Sequence, residues 1–377
     1  MSVLDLPGIT CLVASPGSDL PVTLNMMGVG LDGCDQGTTY GDYFAAIARM
    51  LARDDQAVPR MLARSLDRSA PPDEIVIRAE KHGALYHPAS LELVWRQGAE
   101  NRAEDDFRFR FAALTAISPR GRDALRREAL VMESLERTPG GAFLPRPLAF
   151  RGDETVTFLI VPWFSGFHEF HVAEDGGFSL WDHDQGIRRL GAEQVREVFF
   201  QVGRILTLCL DSVTGACVHP WSHAAGDFIV RWDEKGVAVR LTTVRNHGPL
   251  IETDNPLSAM LAFVLDLALR MRLDRVEGVG EWAWLDQELM LAALYGFYVG
   301  VEEHGKDAGV LGGLAELLPS FSAEELLEGY ESILSLFSRA ELEVILPRLE
   351  VHCRELATAM HLAANPTRPA ASPDHCG

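Results

Sequence analysis

The chain has 377 residues, 47% of them apolar and 23% charged, with 34 Lys and Arg against 54 Asp and Glu for a net charge of −20. At about 150 residues per domain, this length makes two or three structural units, and the composition excludes disorder, collagen and coiled coil. A surface this acidic repels phosphate backbones and anionic lipid, so neither nucleic acid nor a membrane surface is an expected partner.

The N-terminal MSVLDLPGIT carries no basic residue ahead of an apolar core, unlike an export signal. The longest uncharged apolar stretch, Leu289 to Val301, has 13 residues. A spanning helix needs about 18 or more. Six cysteines stand at 11, 34, 209, 217, 353 and 376, with no CxxC pair. That usage predicts a reduced, cytoplasmic protein.

Residues 1–66 read as an N-terminal extension. An apolar run at Thr10 to Ala14 leads into a glycine-rich stretch, then into a helix with Tyr43, Phe44, Ile47, Ala48 and Leu51 on one face. Gly28, Gly30 and Gly33 match GxGxxG, but Cys34 to Gly41 separates them from the helix, and no second strand with a terminal acid follows in time. The match reads as a loop and not as a dinucleotide site. The polar stretch DRSAPPDE at 67–74 reads as a seam.

Period-2 patterns follow. Ile75 and Ile77 alternate, as do Leu91, Leu93 and Trp95, and then Phe107, Phe109 and Phe111 between Arg108 and Arg110. Half-buried antiparallel strands require this alternation. A helix is predicted from Asp123 to Glu136, and VTFLIVP at 156–162 reads as a buried strand. From about residue 190 the pattern is helical, interrupted by a hairpin of DFIVR and VAVRLTT around a DEKG turn at 233–236. From 255 to 363 helices continue, with Trp282 and Trp284 as helix core, and with Arg270, Arg272 and Arg275 pairing Asp266 and Asp274 on a helix surface. The Ala-, Pro- and Ser-containing tail at 364–377 is expected to be disordered.

From 107 onward the order of parts is a strand FRFRFAALTAI, a helix with Glu128, the strand TFLIVPWFSG, a long helix, then HPWSHAAGDFIV, a hairpin and LTTVRN. This order resembles the bilobal protein-kinase-like fold, in particular its aminoglycoside and choline phosphotransferase branch, over residues 75–275. The resemblance implies an α+β chain with a small antiparallel-sheet N-lobe at 75–165, a mainly helical C-lobe at 166–363, and extensions at both ends. It also implies ATP with Mg²⁺ as ligand. The phosphate-binding lysine of that family would fall on Thr115 and its helix glutamate on Glu128. With Asp227 at the metal-binding asparagine, the catalytic base falls on Ser222 and the second metal carboxylate on Thr243. Phosphoryl transfer depends on charge neutralisation by lysine and Mg²⁺. The set Thr115, Ser222 and Thr243 therefore predicts a catalytically degenerate protein that binds a nucleotide, another small ligand or a protein partner.

A second expectation rests on histidines. Lys81-His82-Gly83 and Tyr86-His87-Pro88 lie in a turn between strands, His168 and His171 form HxxH around Glu169, and His219 and His223 precede Asp227, so three histidine-bearing segments and a carboxylate could converge. Imidazole and carboxylate suit a divalent metal, and HxxH on a helix presents both rings on one face. In this alternative, His223 or His219 acts as base in the interlobe cleft, Asp227, His168 and His171 hold metal, and Glu128 and Arg245 handle charge. A third reading is an interaction protein without a ligand. The stretches EKHGALYHPA, FHEFH and PWSHAAGDF also resemble a group of uncharacterised bacterial proteins, which brings no activity with it.

Overall fold

The computed structural model describes residues 8–14, 19–31, 37–80, 83, 85–96, 106–182, 185–222 and 226–365, without the side chains of Asp55 and Asp307. The protein is α+β, with a mixed seven-stranded sheet and nine α-helices among the described residues. It divides into two compact units: residues up to Ser134 with Pro145–Ser165, and Leu135–Leu144 with the residues from Gly166 onward.

The first unit contains β1 (Ile9–Val13), β2 (Leu20–Pro21), α1 (Tyr40–Ser65), β3 (Glu74–Ala79), β4 (His87–Trp95), β5 (Phe107–Ala116), α2 (Pro119–Leu135), β6 (Ala149–Gly152) and β7 (Thr157–Pro162). The sheet order is β2-β1-β3-β4-β5-β7-β6. β1 runs parallel to β3, and every other pair is antiparallel. Alternation explains the strands: Ile75, Ile77, Leu91, Leu93 and Phe111 enter the core, while Arg108 and Arg110 on β5 reach Glu92 on β4 at 2.8 and 3.4 Å.

The helix face expected in the N-terminal segment forms and is buried. Thr39 and Asp42 close a capping box at its start, and the helix runs on through Pro59. Its Tyr43, Phe44, Ile47, Leu51 and Leu62 share one core with the sheet. Within residues 1–66, β1 and α1 are therefore part of this unit and not of an extension. An amphipathic helix needs an apolar face to cover, and here that face is the sheet, with β1 hydrogen-bonded along β3. The polar stretch at 67–74 joins two parts of one unit.

The second unit begins with a three-stranded sheet that helical patterning did not anticipate: β8 (Phe170–Val172), β9 (Phe178–Asp182) and β10 (Gly186–Leu190), in order β10-β9-β8. There follow α3 (Ala192–Leu208), β11 (Cys217–Val218), β12 (Phe228–Asp233), β13 (Gly236–Leu241), β14 (His247–Gly248) and α4 (Pro256–Arg270). A short hairpin of β15 (Leu273–Arg275) and β16 (Trp282–Trp284) precedes α5 (Gln287–His304), α6 (Gly309–Leu317), α7 (Ala323–Tyr330), α8 (Arg339–Ile345) and α9 (Leu349–Ala364). Helices α3 and α5 approach closely because Gly203 and Gly296 lack side chains. A Cβ at Gly296 would strike the carbonyl of Phe200.

Trp282 and Trp284 thus belong to a strand and are only half buried, not helix core. The expected arginine pairs also change. Arg270 does pair with Asp266 on α4, but Asp266 is buried, Arg272 reaches Glu355, and Arg275 lies on β15 over Trp282. Residues 366–377 of the expected tail lie outside the described residues. No helix among the described residues is long and apolar enough to cross a membrane.

Candidate functional site

In the first unit, Thr115 lies on the central strand β5, opposite His87 on β4 and Phe158 on β7. It is fully buried. Its hydroxyl donates to the Ala113 carbonyl at 3.5 Å. The resemblance gave this position to nucleotide phosphates. A short, core-facing hydroxyl offers them neither charge nor access, so Thr115 is a packing residue. Glu128 on α2 is also fully buried, and Tyr86 donates its phenolic hydrogen to Glu128 Oε2 at 2.7 Å. In the sequence Tyr86 marks only a histidine-bearing turn, with no link to Glu128. It stands 42 residues before Glu128, and no local spacing rule links a tyrosine in a strand connection to a helix glutamate.

In the second unit, three chain segments converge. β11 pairs with β14, so the residues after Val218 run beside those before His247. The His219 amide donates to Asn246 O at 3.2 Å, and the Asn246 side-chain amide meets His219 Nε2 at 3.1 Å. With Asn246 as donor, Nε2 accepts and the ring proton sits on Nδ1. The His219–Pro220 peptide is cis. His219 is pushed below the usual imidazole range by burial, with Asp266 acting against the shift and Arg270 and His247 adding to it.

Asp227 stands where the loop enters β12 and is 2% exposed. Its main chain is tied to the far strand of the hairpin: Thr242 N donates to Asp227 O at 2.8 Å, and the Thr242 hydroxyl donates to Gly226 O at 2.7 Å. Its carboxylate accepts the Ser222 amide at 2.8 Å. Arg245 completes it. NH1 lies 2.6 Å from Oδ2, NH2 lies 2.7 Å from Oδ1, and NH1 also donates to Pro220 O at 3.3 Å. A two-point fork of this kind is the strongest ordinary guanidinium–carboxylate contact.

These contacts revise the expected roles. Asp227 is occupied by a guanidinium and does not stand open to a metal. Ser222 contributes its amide to Asp227 from an exposed position. Thr243 is half buried, next to the anchoring Thr242. Arg245, expected to meet an anionic ligand, instead meets Asp227. His223 lies outside the described residues. His219 has its Nε2 engaged by Asn246, which leaves that nitrogen poorly placed to act as a base.

The metal expectation for His168 and His171 fails on geometry. Both lie in extended chain, His168 bridged to Val230 and His171 on β8. Successive strand residues face opposite ways, so positions three apart point to opposite sides. His168 accordingly stands 3.6 Å from Asp182, while His171 stacks on Trp181 with ring centres 3.9 Å apart and lies 3.4 Å from Glu169. Among the described residues no three His, Cys, Asp or Glu side chains are arranged to hold a metal ion.

No protein-family model matches the chain, and no curated protein matches it.

Proposed function

We propose that this is a kinase-like protein that has given up phosphotransfer and works by binding a nucleotide or other small ligand, or a protein partner. Two features support the kinase-like part. In the first unit, strands β3 to β7 stand in the order β3-β4-β5-β7-β6, with α2 inserted between β5 and β6. In the second, a helix leads to a short strand, a loop, a hairpin and a strand that returns to pair with the first. This is the order of parts on which the sequence resemblance rests.

The observation that carries the loss of phosphotransfer is Arg245 on Asp227. Phosphoryl transfer needs cationic charge directed at the phosphates. Here the carboxylate in the metal-binding position spends its charge on an internal guanidinium, and Ser222 and Thr243 bring no charge to the neighbouring positions.

The test is thermal unfolding of the full chain with ATP, ADP and GTP, each with and without Mg²⁺, together with an assay for phosphate transfer from ATP to water, to the protein and to small alcohols and amines. A ligand that binds only the folded state stabilises by about 2.7 kcal/mol at a hundred times its Kd, a shift of a few degrees. The expected result is no transfer, with any nucleotide shift independent of Mg²⁺. Transfer lost on Asp227→Ala would overturn the reading. No shift from any nucleotide would narrow it to a protein partner.

A further inference from the structure

Helix α6 is apolar or small on nearly every side. Leu311, Leu314 and Ala315 are buried, and the helix packs on α4 and α5. The opposite side carries Val310 and Leu317, two turns apart and 41% and 46% exposed, with Gly312 and Gly313 beside them and Glu316 as the helix's single charge. A surface helix ordinarily turns charged and polar side chains to water, and a helix that is apolar all round is ordinarily covered on all sides.

The glycines sharpen the contrast. A Cβ on Gly313 would meet nothing within 4 Å, and one on Gly312 would meet only the Ala308 Cβ, at 3.6 Å. Packing inside the chain does not require them, unlike Gly203 and Gly296, where a Cβ would strike a carbonyl. Each glycine in a helix interior costs about 1 kcal/mol against alanine. What the pair provides is bare backbone, on which a second helix can settle at a short interaxial distance.

Charge selects the kind of helix. From Glu302 to Glu331 the chain has eight Asp and Glu against one lysine, Lys306. Glu302 on α5, Glu316 on α6, and Glu324 and Glu328 on α7 are exposed. The apolar strip therefore has acids on α6 itself and on the helices before and after it. A second copy of the chain would bring the same negative charge against it, whereas a basic partner is attracted and oriented.

We propose that the outer face of α6 is a docking surface for a cationic amphipathic helix of a partner protein. The apolar side of that helix lies on Val310, Leu317 and the two glycines, and its Lys and Arg meet Glu316 and the acids of α5 and α7. The proposal goes beyond the reading above, because this surface is separate from the loop and hairpin and does its work whether or not a nucleotide binds.

The test titrates the full chain into a fluorescently labelled Leu/Lys peptide of amphipathic helical spacing, with a Leu/Glu peptide of the same spacing and a Ser/Lys peptide of the same charge as controls. The Leu/Lys peptide should bind about tenfold or more tighter than either control, more weakly at high salt, and should slow amide exchange in α6. Val310→Ser with Leu317→Ser should weaken binding by about tenfold, and Ile187→Ser with Val213→Ser, at exposed apolar positions elsewhere, should leave it unchanged. Where the first double variant unfolds, Gly313→Gln serves instead: the open space accepts the side chain, the fold keeps its Tm, and the approach of the peptide is blocked. Absence of binding, equal binding of the Leu/Lys and Ser/Lys peptides, or binding that survives the α6 variants would overturn the proposal. So would dimerisation of the wild type that the α6 variants abolish, since a second copy would then cover the face.

Discussion

Two aspartates of the second unit are almost equally hidden, Asp227 at 2% exposure and Asp274 at 4%, and they meet burial in different ways. Asp227 carries a forked guanidinium and a main-chain amide. Asp274, on β15, accepts the Arg275 amide at 2.7 Å, and burial pushes its carboxyl up to about 7 against that hydrogen bond. A buried carboxylate is kept charged by an opposite charge and is driven toward its neutral form without enough compensation. At the loop and hairpin a guanidinium faces the carboxylate, and in the small hairpin burial outweighs the Arg275 amide.

The largest expected effect comes from breaking the compensated case. Arg245→Ala removes the fork from a buried carboxylate that keeps the Ser222 amide, and with water able to enter where the 39% exposed Arg245 side chain stood it should lower stability by about 3 kcal/mol at neutral pH, as seen in chemical denaturation. Adding Asp227→Asn removes the charge and should restore part of the loss. If the single and double variants lose the same amount, the ion pair is not what Asp227 depends on.

His352 extends the contrast to a base. It is fully buried between Tyr330 and Trp284, with the Tyr330 hydroxyl 2.6 Å from its Nε2. Burial, aided by Arg272, pushes it down to about 3. The folded state then binds fewer protons than the unfolded state between about pH 3 and 6.5, so this stability is complete above 6.5 and is lost as pH falls. The loss should reach about 3 kcal/mol by pH 4 and should be absent from the pH profile of His352→Gln.

Asp274 should show the reverse sign with a smaller net effect. Its raised value means that the folded state holds the proton longer, so the contribution is present below about pH 4 and disappears as pH rises through about 7. Asp274→Asn should gain on the wild type by about 2 kcal/mol across that window, and a flat difference would remove Asp274 as its cause. The smallest effect is expected in the first unit. Tyr86→Phe deletes one hydroxyl donor to Glu128 and should cost about 1 kcal/mol, as read from the denaturation midpoint.

Strand β3 was legible because its side chains alternate between buried and half-buried, a property of neighbouring residues alone, whereas β4 and β7 are buried along most of both faces and Phe109 of β5 is exposed. Ile75, Ile77, Leu91 and Leu93 carry the pattern and sit in the core. The helix face from Tyr43 to Leu51 was legible for the same reason, but its partner was not, since nothing in the helix says which sheet it covers. The three-residue strand at Phe170–Val172 is too short to display a period, so nothing in HEFH marked the strand that sets its two rings on opposite sides. Arg245 and Asp227 are 18 residues apart and meet only because β12 and β13 fold back on each other.

By itself, the sequence determined the α+β class, the alternating strands, the amphipathic helices, the hairpin after Asp227 and the absence of lysine at Thr115. These are local matters of side-chain size, polarity and period. The tertiary structure alone decided that β1 and α1 belong to the sheet, that Tyr86 meets Glu128, that His168 and His171 face apart, and that Arg245 closes on Asp227. Each of these depends on which distant segments the backbone brings within hydrogen-bond reach, and at those distances burial makes the choice of partner decide the charge.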